Sequence, residues 1–208
     1  KVSDKIKVIE AFVEKADKIL IGGAMANTFL AYKGNDIGRS KAETDQQVTL
    51  DAIYAAARRK VGDEHVDEFL VLPVDVAVAA TIDGKQPRRN QKVDSIGETD
   101  IAADIGDLSI ERFTTELAKA KTVVWNGTMG LAEFPEFAHG SARVALTLAT
   151  TPGMTSIVGG GDTADFALKW DGNEGDSFTH VSTGGGASLD LMAGKKLPGV
   201  EALLEGPK

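Results

Sequence analysis

Four short apolar runs in this 208-residue chain each end in a glycine-rich turn and then pass into a segment with helical character. The turns fall within residues 19–23, 123–130, 157–163 and 181–188. Apolar run, glycine turn and helix in repeated succession are the signature of parallel strands joined by helical crossovers. In such a sheet every strand-to-helix turn lies at the same edge, so the four loops are expected to line one crevice. Glycine lets backbone N–H groups approach a ligand closely, and the helix start behind each turn carries a positive dipole end. One such loop says little. Four in register imply a ligand that carries phosphate.

Composition narrows the class of ligand. Glycine supplies 23 of the 208 residues, well above the usual share of about 7%. The net charge of −8 argues against nucleic acid or a membrane surface as partner, since both call for basic patches. A phosphate ligand must then be held by local N–H groups and a few placed lysines. The chain has no cysteine, which excludes disulfides and thiolate metal sites and agrees with a cytoplasmic location. No stretch reads as a signal peptide or a membrane span. The chain opens at Lys1 inside what reads as a helix start, as a fragment would. No linker or charge run divides it, so a single domain over residues 1–208 is expected.

Val2, Ile6, Ile9, Val13 and Ala16 form an amphipathic helical stripe. A strand is expected over residues 18–21, helices over 24–32 and 45–59, and one long buried strand over 69–79 with Pro73 at an end or bulge. Residues 80–110 are the least regular, with a polar hairpin or excursion over 81–92. Beyond it the pattern predicts helix 111–120, strand 121–125, helix 137–150, strand 155–158, helix 163–170, strand 178–181 and a helix starting over 188–193. The expected architecture is a Rossmann-like three-layer α/β/α domain with a mainly parallel β-sheet.

Gly159-Gly160-Gly161-Asp162-Thr163 leads from strand straight into helix. Its N–H groups suit an anion, the Thr163 hydroxyl can add a bond, and Asp162 can serve a divalent cation. The plainer alternative is a tight turn with Asp162 or Thr163 as an ordinary helix cap. The same loop fits the dinucleotide pattern, but the next strand ends in Ser182-Thr183-Gly184-Gly185-Gly186 without the carboxylate that a ribose requires, so a nicotinamide cofactor is disfavoured. No P-loop sequence and no nucleophile elbow is present. The second triple-glycine turn repeats strand, glycines and helix, and aims another helix start at the same phosphates. Asn126 can donate to phosphate, Glu133 can accept from ribose hydroxyls, and Met129 and Leu131 can pack on a purine; Glu133 in a solvent-exposed turn is the alternative. Lys1 and Lys5 share a helix face, where they either reach phosphates or are merely solvated, with Asp4 a possible ion-pair partner. His65, His139 and His180 lack metal-ligand spacing.

These residues resemble phosphoglycerate kinase, specifically its C-terminal nucleotide-binding half. The matching stretches are Lys1-Val2-Ser3-Asp4-Lys5-Ile6, Ile21-Gly22-Gly23-Ala24-Met25-Ala26, Thr28-Phe29-Leu30, Leu72-Pro73-Val74-Asp75, Val124-Trp125-Asn126-Gly127, residues 159–163, residues 180–188 and Leu197-Pro198-Gly199-Val200. They follow the family's order and spacing over most of the chain. The resemblance implies phosphoryl transfer between 1,3-bisphosphoglycerate and ADP, giving 3-phosphoglycerate and ATP in glycolysis, with Mg2+ accompanying ADP or ATP. It implies that Lys1 contacts the phosphoryl group in transfer, Lys5 and Asn126 the nucleotide phosphates, and Glu133 the ribose. Asp162 would serve the Mg2+, with Thr163, Gly160 and Gly161 on the phosphate chain. Gly184, Gly185 and Gly186 would stabilise the moving phosphoryl group, and Gly22, Gly23 and Leu131 would line the adenine and ribose pocket. Thr128 and Asp107 stand where the family usually has proline, and Lys41 where it has an apolar residue, which implies a base pocket of altered shape. The family's N-terminal half, with its arginine-rich phosphoglycerate patch, has no counterpart in these residues. The resemblance therefore implies a monomer that binds nucleotide without appreciable turnover. A non-catalytic nucleotide-binding or sensor domain is the competing expectation.

Overall fold

The computed structural model describes residues 2–182, 184–187, 190, 194 and 195, with the backbone alone for residues 2–7. Helix α1 (Val2–Val13) packs Ile9 and Val13 of the expected apolar stripe against the interior, and Val8, outside that stripe, is buried as well. The carbonyls beyond its last turn would be orphaned by the helix end. Lys60 supplies them with a donor, its ammonium reaching the oxygens of Val13, Glu14 and Ala16 at 2.7, 3.1 and 2.5 Å. Next come β1 (Ile19–Leu20), α2 (Gly23–Tyr32), α3 (Gln47–Val61), the short α4 (Val66–Phe69) and β2 (Leu70–Val71). β2 lies parallel to β1. Phe29 of α2 and Ile53 of α3 are fully buried in the cluster that these elements enclose.

The long strand expected over residues 69–79 is instead two strands in different sheets. Pro73 lacks an N–H to donate to a ladder, and the chain turns there from β2 into β3 (Asp75–Ala79). β3 is the centre of an antiparallel sheet between β4 (Arg89–Lys92) and β5 (Ile101–Ile105). The polar excursion thus returns as β4, as expected, whereas β5 has no clear sequence signal because small residues and an aspartate interrupt its apolar pattern.

The rest of the chain alternates strictly: α5 (Asp107–Leu117), β6 (Thr122–Asn126), α6 (His139–Thr150), β7 (Thr155–Gly159), α7 (Gly161–Asp171) and β8 (His180–Val181). α5 starts four residues before the predicted helix because Asp75 accepts hydrogen bonds from the N–H groups of Leu108 and Ser109 in its first turn. β7 pairs in parallel with β6 on one side and β8 on the other. Phe113, Trp125, Val158 and Ala167 form the core between this sheet and the flanking helices. The fold is a Rossmann-like α/β arrangement whose parallel strands are accompanied by one antiparallel sheet. The helix expected over 188–193 falls almost wholly outside the described residues.

Glu116 on α5 ties that helix to the approach of β1, accepting from Lys18 at 2.6 Å and from Lys119 at 2.8 Å. Hydrogen bonds from Lys119 and then Lys18 hold its carboxyl down at about 2. A depressed carboxylate contributes stability above its unfolded value, and that contribution is lost as pH falls towards the folded one. Glu116→Gln is therefore expected to flatten the acid limb of stability between about pH 4.5 and 2. Both lysines are well exposed, so the loss near neutral pH should stay under about 1 kcal/mol, as read by urea unfolding at stepped pH.

Candidate functional site

The parallel registers bring the glycine loops to one edge. Asn126, the last residue of β6, is level with Gly159, the last of β7. The Ser182 amide donates to the carbonyl of Val158, which sets the start of the β8 loop beside them. The β1–α2 turn joins from the other side, its Gly23 N–H donating to the Met129 carbonyl at 3.0 Å. Three turns far apart in sequence, with the start of the fourth at Ser182, thus meet along one rim.

Glycine is required at the points where these loops touch. A Cβ on Gly22 would stand 2.6 Å from the Met129 sulfur, and one on Gly23 would stand 2.7 Å from the Thr128 carbonyl oxygen. Gly160 has φ of +88°, and a Cβ there would meet both polar atoms of the Asn126 amide at 3.0 and 3.1 Å. Gly161, Gly185 and Gly186 are different: a Cβ on any of them would meet no atom of the described residues within 4 Å. Gly185 still needs its left-handed φ of +56°, whereas neither packing nor backbone demands glycine at 161 or 186.

Among the described residues of the rim, Asn126 is the least satisfied polar one. Both its amide nitrogen and its oxygen are buried without a hydrogen-bond partner among the described residues. A buried amide without partners costs about 1–3 kcal/mol, so the site retains bonding capacity that the protein does not use. Beside it, Gly160 caps α7 with no side-chain hydrogen bond, and the first N–H groups of a helix have no acceptor within the helix. Unused donors, a positive helix end and an absent side-chain cap together suit an anion.

The remaining predicted residues are spread around this centre. Thr163 is buried and its hydroxyl oxygen accepts from the Gly127 N–H at 2.7 Å. That bond uses a lone pair and leaves the hydroxyl proton to another acceptor. Asp162 is exposed in the first turn of α7. Among the described residues no three His, Cys, Asp or Glu side chains gather as a ready-made metal cage. A lone carboxylate fits Mg2+ that arrives on phosphate, since this ion keeps several waters and takes few protein ligands. Glu133 is exposed on the loop that follows β6. Leu131 packs on the cluster of Ala77, Ala79, Ala103 and Phe137, so the loop residues that meet Gly22 and Gly23 are Met129 and Thr128. Gly184 donates to Ser182 Oγ at 3.2 Å. Lys5 lies on α1, while Lys1 falls outside the described residues.

The family model of phosphoglycerate kinase matches residues 1–195. The chain belongs to the phosphoglycerate kinase family. Phosphoglycerate kinase of Listeria welshimeri is 45% identical over 203 residues, which are 98% of this chain and 48% of that protein. The Koribacter versatilis phosphoglycerate kinase is 46% identical over 204 residues, 98% of this chain and 49% of the relative. The phosphoglycerate kinase structure from Coxiella burnetii superposes with a TM-score of 0.85 at 34% identity, covering 97% of this chain and 50% of its own. That of Pyrococcus horikoshii gives 0.75 at 35% identity, covering 98% and 49%. The chain thus spans about half the length of the phosphoglycerate kinases it matches. Among the described residues no helix is long and apolar enough to cross a membrane.

Some groups that shape this rim carry no sequence signal. Ser141 is fully buried and accepts from the Met129 N–H at 2.9 Å. Arg88 and Asp104 meet behind the loop at 2.9 Å. Each is an ordinary residue in an ordinary stretch, and only the partner brought to it by the fold gives it a role.

Proposed function

We propose that residues 1–208 are the nucleotide-binding half of a cytoplasmic phosphoglycerate kinase, binding Mg-ADP or Mg-ATP on the rim formed by the four glycine turns. The observation that carries this is the buried, unpartnered amide of Asn126 set against Gly160 at the start of α7. The open space beside Gly161 and Gly186 supports it, because a ligand close to the backbone supplies the reason for glycine that the fold does not.

On this reading the α7 amides and Asn126 hold the phosphates, Glu133 the ribose hydroxyls, and the surface around Gly22, Gly23 and Leu131 the base. Asp162 would hold the Mg2+, which when bound offsets phosphate charge. Lys5 would steady the phosphate chain, and Lys1 with Gly184 and Gly185 would serve the phosphoryl group in transfer. Both acceptors in the reaction, a phosphate and a carboxylate, are already anionic near pH 7. No general base is needed; positioning and charge stabilisation do the catalysis. The phosphoglycerate is assigned to a further half like that of the longer relatives, so this chain alone should bind nucleotide as a monomer and turn over negligibly.

The test is the thermal midpoint of the chain with MgADP, ADP with chelator, and NAD. Ligand at a hundredfold excess over its dissociation constant stabilises by about 2.7 kcal/mol, which raises the midpoint of a protein this size by several degrees. A shift with MgADP and none with NAD is expected, and no shift at millimolar MgADP would overturn the assignment. Asp162→Asn should weaken MgADP about tenfold, about 1.4 kcal/mol, with little change for metal-free ADP. Equal affinities with and without the carboxylate would remove Asp162 from the metal.

A further inference from the structure

The loop that follows Asn126 and carries Leu131 and Glu133 is not held by its own strand alone. Its middle is laid against β5: the Leu131 N–H donates to the Ala103 carbonyl at 2.8 Å. Gly130 packs so closely that a Cβ would come within 2.5 Å of that carbonyl and 2.7 Å of the Asp104 backbone. The chain then returns at α6, where Gly140 donates its N–H to Asp104 Oδ2 at 2.9 Å. A Cβ on Gly140 would stand 2.5 Å from Asp104 Oδ1 and 2.8 Å from the Met129 Cβ. The side chain of Asp104, wholly without solvent exposure, is therefore the block on which the loop is clamped from both ends.

Arg88, the residue before β4, completes the clamp. Its guanidinium donates to Asp104 Oδ2 at 2.9 Å and to the Ile105 carbonyl at 2.7 Å. It also reaches Asp107 Oδ1 at 3.2 Å. Asp107 and Asn90 bond each other behind it at 2.7 Å. Burial pushes the Asp104 carboxyl up from the usual carboxylate range, and the Gly140 amide and Arg88 work against that. A buried carboxylate stripped of its cation is strongly unfavourable, so it must move or take up a proton, and either change disturbs the Gly140 bond.

We propose that Arg88 is a positioning residue for nucleotide binding, holding the loop of residues 127–133 in register through Asp104 and the Gly140 amide. The polar excursion of residues 80–92 thereby acquires a task in the site. The functional consequence rests on the nucleotide reading above; the mechanical one does not.

The experiment uses the whole chain and two readouts. Amide hydrogen exchange on Arg88→Met is expected to lose at least tenfold protection at Met129, Leu131 and Gly140, with β6 and β7 unchanged. MgADP affinity, measured well below the melting midpoint, should fall at least tenfold. Arg88→Lys keeps the charge but cannot span Asp104 and the Ile105 carbonyl together, so it should fold and fall between. As a control, Ile53→Val in the other core cluster should lower global stability without touching those three amides. Unchanged exchange and affinity within twofold of the parent in Arg88→Met, or in Arg88→Lys if the first fails to fold, would overturn the proposal. If the parent chain does not bind MgADP, the nucleotide reading falls and local exchange alone decides the clamp.

Discussion

Gly160→Ala is expected to abolish MgADP-dependent stabilisation while the chain still folds. Gly160 has φ of +88° and ψ of 139°, a backbone region that costs a residue with a Cβ on the order of 1–3 kcal/mol. The new methyl group would also press on the Asn126 amide from 3.0 Å. That amide is confined in a buried position, so it gives way only by turning the β6 loop or the start of α7. Either movement misplaces the donors assigned to phosphate. A loss of at least a hundredfold in MgADP affinity by calorimetry is expected, with a midpoint lowered by several degrees. Gly161→Ala separates ligand from fold: its neighbourhood is open, and in a helix alanine is favoured over glycine by up to about 1 kcal/mol. That variant should be at least as stable as the parent yet bind nucleotide more weakly. Parent-like affinity in both would remove the α7 start from the site.

The largest effect on stability is expected at Gly106, where backbone conformation gives no warning. Its φ of −78° and ψ of 174° are open to any residue, so conformational entropy alone would favour alanine. Packing decides otherwise. A Cβ on Gly106 would overlap the carboxyl group of Asp75. Asp75 is buried, and its Oδ1 accepts from the Ser109 amide at 2.8 Å and from the Ser109 hydroxyl at 2.6 Å. Its Oδ2 accepts from the Leu108 amide at 3.1 Å. The Ser109 hydroxyl in turn accepts from the amides of Val74 and Asp75. Moving the carboxylate uncaps α5 and leaves a buried charge and several buried donors without partners, each costly by itself. Gly106→Ala should destabilise by about 4 kcal/mol or more, lowering the midpoint by roughly 10 °C. A change below about 1 kcal/mol in urea unfolding would show that the carboxylate has room to move.

Much of the α/β order was legible because its signals are local. The stripe from Val2 to Ala16 needs only helical periodicity, and α1 packs Ile9 and Val13 of it against the core. The runs that became β6 and β7 are bounded by glycine turns, so their limits fell within two residues of the observed ones. Residues 69–79 misled because an apolar run says nothing about which neighbour each half will pair with; Pro73 marked the break without revealing that the halves join different sheets. β5 was invisible because Ile-Ala-Ala-Asp-Ile becomes a strand only beside β3.

The candidate site divides along the same line. Its residue types and their places in turns follow from the sequence alone, since glycine and a helix start are local chemistry and the family's motifs are contiguous. Tertiary structure alone decided that the Gly127 amide meets Thr163, 36 residues away, that Gly160 faces Asn126, and that Arg88 and Asp104 back the loop. These contacts depend on the lengths and packing of every element between the partners. They are side-chain placements accurate to fractions of an ångström, a scale that periodicity does not reach.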